Sequence, residues 1–108
     1  MEDIISKELL SEVLGFKIED FLVEKNKVEY CYLTVPAMYE RADSINIYEL
    51  AFKNCVEWAF KNHYTLCMDK NCCELWRDNI QEYITSSDSK IYEGVFKSCQ
   101  WILDNRVD

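Results

Sequence analysis

The chain of 108 residues contains only two glycines, one proline and one histidine. So few glycines leave no room for a glycine-rich phosphate cradle, and neither a P-loop nor a GxGxxG fingerprint occurs. The single proline argues against long irregular linkers. One histidine, His63, leaves little for nucleophile–base chemistry, where an attacking Ser or Cys needs a base to orient it. HExxH is missing, and no carboxylate pair sits at a spacing that assigns acid and base roles. An enzyme is therefore the weaker expectation. No apolar run approaches the ~20 residues that span a bilayer. The opening MEDIISKELL is acidic and amphipathic, whereas a secretory signal needs a basic start and an apolar run. A soluble, cytoplasmic protein is expected, with no membrane contact.

What is abundant points to a folded domain. The hydrophobic share is 49% and the aromatic share 14%, enough for a real core in one globular domain spanning 1–108. The net charge is −8, from 20 acidic and 12 basic residues. The acids are spread over both halves, so there is no basic arm, and direct nucleic-acid binding is not expected because it needs phosphates neutralised by Lys and Arg. The balance suits a basic protein partner or a surface that imitates nucleic acid, and it is also what solubility alone gives. Six cysteines without a secretory signal read as reduced thiols, several on apolar faces.

The clearest element is Ser44–His63, SINIYELAFKNCVEWAFKNH. Asn46 and Glu49 have capping-box spacing, and Ile45 and Leu50 occupy the staple positions. Ile47, Leu50, Ala51, Cys55 and Ala59 follow at helical spacing, with Tyr48, Phe52, Val56 and Phe60 alongside. That band is too wide for one-sided cover and predicts a central packing helix. Before it, Asp3–Leu14 reads as a helix stopped by Gly15. Phe16–Glu24 alternates with a phase change that a bulge near Glu19-Asp20 explains. A turn at Glu24–Lys27 leads into a strand, Val28–Val35, ended by Pro36. Residues 37–43 (AMYERAD) read as a connector. Tyr64–Met68 reads as a third strand, parallel to the second through a right-handed crossover. Asn71 and Glu74 repeat the capping-box spacing and start a helix over Cys72–Ile84, burying Cys73, Trp76, Ile80 and Tyr83 or Ile84. After a polar link, Lys90–Asn105 forms the last helix. The order α-β-β-α-β-α-α makes an α+β domain, a three-stranded sheet covered by helices.

Two sets of residues are candidate sites. Tyr39 lacks periodic apolar neighbours and is flanked by Glu40 and Asp43. With Glu19 and Asp20 of the first hairpin, these form a partner-binding surface. Tyr30 and Tyr32 share a strand face and either cover the sheet or form a platform. His63, Cys67, Cys72 and Cys73 carry the residue types of a metal or redox site. Their H-x3-C-x4-C-C spacing lacks the C-x2-C knuckle, so no metal and no cofactor is expected from it.

The stretches SINIYELAFKNCVEWAFKNHY and FKSCQWILDN resemble small proteins encoded by phages and prophages of AT-rich bacteria. The resemblance brings no site residues with it. It implies a setting in which compact acidic proteins bind and disable a host protein, anti-CRISPR inhibitors among them. The expected function is an intracellular inhibitor docking on a host protein with a basic surface, as a monomer or small homo-oligomer. A cysteine-dependent metal or redox protein and a structural assembly subunit are the alternatives.

Overall fold

In the computed structural model, residues 4–18, 20–24, 26–35, 38–41, 44–70, 72–86 and 90–106 are described, with 30–35, 38–41 and 86 by backbone alone. Helix α1 (Lys7–Leu14) begins where the Ser6 hydroxyl accepts the Leu9 N–H at 3.1 Å. It ends at Gly15, whose φ of 82° is the left-handed conformation that glycine adopts without a Cβ penalty. Ile18 is buried after it, held by its N–H donating to the Ser11 hydroxyl at 2.9 Å. Strand β1 (Asp20–Glu24) starts only there, so Phe16–Ile18 precede the sheet. The expected phase change is the start of the strand, not a bulge inside it.

Strand β1 pairs antiparallel with β2 (Lys27–Val35), through a turn in which Asn26 has φ 66°. Along the other edge of β2 lie two short strands, β3 (Met38–Arg41) and β4 (Ile45–Asn46). Val28 pairs with Val23 on one side and Ile45 on the other, and is fully buried. The expected connector over 37–43 is thus partly a strand.

The central helix forms as predicted, in three continuous parts: α2 (Ile47–Glu49), a π-helical stretch (Leu50–Cys55) and α3 (Val56–Lys61). Asn46 is its cap, its side-chain oxygen accepting the Tyr48 N–H at 2.8 Å. Glu49 lies 4.0 Å from Lys53, one turn on. Ile47, Leu50, Ala51, Cys55, Trp58 and Ala59 are buried. Tyr48, Phe52 and Phe60 are not: they are 45%, 38% and 73% exposed. The wide apolar band is therefore a core face plus an uncovered face, not a helix packed all round.

The largest correction concerns the second half. Strand β5 (Thr65–Asp69) pairs antiparallel with β6 (Cys72–Arg77), and β6 pairs with β7 (Ile80–Ser86), in a separate three-stranded sheet. Among the described residues β5 makes no pairing with β2, and Cys72–Ile84 is a hairpin instead of a helix. Its two-residue turn, Asp78-Asn79, has positive φ at both positions, 53° and 66°, the geometry of the tight hairpin turns that match strand twist. Helix α4 (Ile91–Asn105) lies on one face of this sheet and buries Tyr92, Val95, Phe96, Cys99 and Ile102. The α+β class and a three-stranded sheet covered by helix stand, with a second sheet added. Among the described residues, no helix is long and apolar enough to cross a membrane.

Candidate interaction surface

The three-stranded sheet has two unlike faces. Leu66, Leu75 and Tyr83 form one cross-strand row, and Cys73 pairs with Thr85 in the next. Leu66, Cys73, Leu75 and Thr85 are buried on the side of α4. Alternation sends the intervening residues outward. Cys67, Glu74 and Ile84 form one outer row, and Thr65, Trp76 and Gln81 the next. On this outer face Ile84 is 52% exposed, Cys67 is exposed, and Glu74 and Trp76 are half-buried. Glu74 and Trp76 stand two residues apart on the central strand, about 7 Å along one face. A carboxylate beside an indole ring is suited to a Lys or Arg, whose head pairs with the acid and whose stem or charge lies on the ring.

Of the expected partner-binding residues, Asp20 is described with its side chain, and Tyr39 and Glu40 by backbone alone. Asp20 is exposed at the start of β1, where its carboxylate accepts the Phe21 N–H at 2.9 Å. Tyr39 and Glu40 belong to β3, opposite Leu33 and Tyr32. Asp20 pairs with Cys31, one ladder row from the Tyr32–Glu40 pair. Glu19 and Asp43 lie outside the described residues, as do the side chains of Tyr30 and Tyr32.

The alternative His–Cys set is dispersed by the hairpin. His63 is exposed past the helix end with φ 71°. Cys67 and Cys72 sit on the outer face, and Cys73 points into the core, where the Ser98 hydroxyl donates to its sulfur at 3.6 Å. Among the described residues no three His, Cys, Asp or Glu side chains converge as metal ligands. Cys72 begins a strand and gains no helix N-terminus. Desolvation, then the carboxylates of Glu74 and Asp69, push its thiol up from the ordinary value, the reverse of what a reactive thiol needs. Burial likewise raises Cys73, despite the Ser98 hydrogen bond. Cys99 is raised by its hydrogen bond with Cys55 and then by burial, and its thiol donates to the Cys55 carbonyl at 3.6 Å. Among the five cysteines whose side chains are described, alkylation of the native protein is therefore expected to modify Cys67 first and Cys72 next. Cys55, Cys73 and Cys99 should react only on unfolding. Mass spectrometry of a labelling time course checks this, and early modification of Cys73 or Cys99 contradicts the packing.

One cleft of about 500 Å³ lies at the end of α4 between Tyr64, Arg77, Glu82, Trp101 and Arg106. Both of its guanidinium groups are engaged within the protein. Arg77 donates to the Tyr64 hydroxyl at 3.3 Å and lies 5.3 Å from that ring's centre, and Arg106 pairs with Glu12. Composition does not reveal the outer sheet face, because Cys72–Ile84 also fits a helical period, which sorts its residues onto different faces. The alternation of Cys72, Glu74 and Trp76 with Cys73 and Leu75 was the available signal; in β7 the register shift between Leu75 and Trp76 breaks the alternation, so that Gln81 joins the outer row. No known family, curated protein or solved structure matches the chain.

Proposed function

We propose that this protein is a binding module acting inside a bacterial cell, docking the outer face of its three-stranded sheet on a host protein with a basic surface. The resemblance to small phage-encoded proteins makes inhibition of that partner the purpose of docking. The observation that carries the reading is the placement of half-buried Glu74 and Trp76 on the outer face of the central strand, with exposed Ile84 opposite Glu74. Apolar and aromatic residues at the centre of such a patch are the usual anchors of an interface. A carboxylate among them selects a cationic partner, and a chain charge of −8 steers that partner in.

Affinity capture from a bacterial host extract tests the reading, with Glu74→Lys and Trp76→Ala as paired baits. A specific partner is expected on the wild-type protein at moderate salt. Either substitution should weaken it by about 30-fold, the effect of a hot-spot residue worth ~2 kcal/mol. Asp20→Lys, on the other sheet, should leave capture unchanged. Identical capture by the wild type and Glu74→Lys defeats the proposal.

A further inference from the structure

The central helix is written in tetrads: IYEL, AFKN, CVEW, AFKN, from Ile47 to Asn62. Four-residue steps in an α-helix drift by about 40° each, so such rows would spiral. The π-helical stretch Leu50–Cys55 turns less per residue and offsets part of that drift. The burial follows the tetrads. Ile47, Ala51, Cys55 and Ala59 are all buried, and the fourth row contributes buried Leu50 and Trp58. The second row, Tyr48, Phe52, Val56 and Phe60, runs along the outside, with Tyr48, Phe52 and Phe60 exposed and Val56 half-buried. The third row, Glu49, Lys53, Glu57 and Lys61, is exposed beside it and alternates in sign. Tyr48 is already held in place, edge-on to Tyr92 with ring centres 5.3 Å apart.

This face complements itself. A two-fold axis perpendicular to the plane of two such helices runs them antiparallel and puts both charged rows on the same side. Tyr48 then meets Phe60 of the other copy, and Phe52 meets Val56. In the neighbouring row Glu49 faces Lys61 and Lys53 faces Glu57, every contact joining opposite charges. A parallel pair places the two charged rows on opposite sides and makes none of these contacts. The row sums to zero in a chain whose net charge is −8. Two copies repel over most of their surface and meet without repulsion here, whereas a basic partner finds no net charge to recognise.

We infer that the outward face of the central helix is an isologous interface, joining two copies of this chain with their central helices antiparallel. One helix of about 22 Å is a small contact, below the usual size of permanent interfaces. The dimer is accordingly a weak one, with Kd in the micromolar range. It lies on a different surface from the outer sheet face, so either can fail alone, and Glu74→Lys and Trp76→Ala should not alter self-association.

Sedimentation velocity of the full chain from about 1 to 500 µM reads the equilibrium directly. The wild type should shift from monomer to dimer with concentration. Lys53→Glu sets Glu against Glu57 of the other copy and should weaken the dimer by at least tenfold. The swap Lys53→Glu with Glu57→Lys restores opposite charges and should return Kd to within about threefold of the wild type. Phe52→Ser with Phe60→Ser should abolish the dimer, and circular dichroism reports whether that variant still folds. A wild-type monomer at every concentration overturns the inference. So does a dimer that survives the Phe52/Phe60 substitutions, or a charge swap that fails to rescue.

Discussion

Valine in place of Gly94 is expected to cost the fold about 2–4 kcal/mol, from overpacking and one broken hydrogen bond. Glycine in mid-helix is unfavourable by ~1 kcal/mol relative to alanine, so its presence within α4 requires a reason. The reason is the approach of the helix to the sheet. A Cβ at Gly94 would stand 3.0 Å from the Cys73 Cβ and 3.0 Å from the Thr85 hydroxyl oxygen. That hydroxyl donates to the Cys73 carbonyl at 3.4 Å across the hairpin. One turn along α4, Ser98 is fully buried against the same cysteine. Gly94 and Ser98 thus form a narrow strip that lets the helix backbone settle onto β6 and β7. Alanine should lose about 0–2 kcal/mol, because its better helix propensity offsets part of the crowding. Valine adds two further carbons at the same point and displaces the Thr85 hydroxyl. Urea unfolding followed by far-ultraviolet circular dichroism measures both. Thr85→Ala should recover part of the Gly94→Val loss, since the neighbours share one space and their effects do not add. A Gly94→Val protein as stable as the wild type would mean that the helix sits farther from the sheet.

The parts of the fold written in local signals were legible from the chain alone. Gly15 stops α1, Asn26 turns the first hairpin, Asn46 caps the central helix, and the 3.6-residue pattern of 91–105 gives α4. Each rests on a conformational need that few residue types meet. Residues 72–86 satisfy two patterns at once. Cys73, Trp76, Ile80 and Tyr83 recur at helical spacing, while Cys73 with Leu75 and Tyr83 with Thr85 alternate as a strand does. The turn between the strands contains neither glycine nor proline. Asp78 and Asn79 take its positive φ angles, which among residues with a Cβ these types tolerate best. The short strand Met38–Arg41 draws its existence from pairing with β2, a non-local interaction that its own sequence does not announce. The candidate surface was hidden for the same reason: which residues share a face depends on whether the period is 2 or 3.6.

That ambiguity yields the second large effect. Leu75→Ala is expected to destabilise the protein by about 2–5 kcal/mol, the range for deleting a buried leucine side chain. Leu75 is fully buried at the middle of the central strand, with Leu66 beside it on one side and Tyr83 on the other. Both neighbours are fixed by ladder hydrogen bonds, so the space left behind collapses poorly and the cavity remains. The loss is a large fraction of the 5–15 kcal/mol that typically holds such a domain. The adjacent Trp76 faces outward, and Trp76→Ala should cost less than Leu75→Ala despite removing the larger side chain. Ile80 is 60% exposed and Ile84 52% exposed, so serine at either should stay within about 1 kcal/mol of the wild type. A helix over 72–84 demands the opposite ranking, with Trp76 and Ile80 in the core. Denaturant midpoints for these four substitutions therefore read the period of the segment directly. A Trp76 or Ile80 loss exceeding that of Leu75 would put the Glu74–Trp76 face inside the protein, where no partner could reach it.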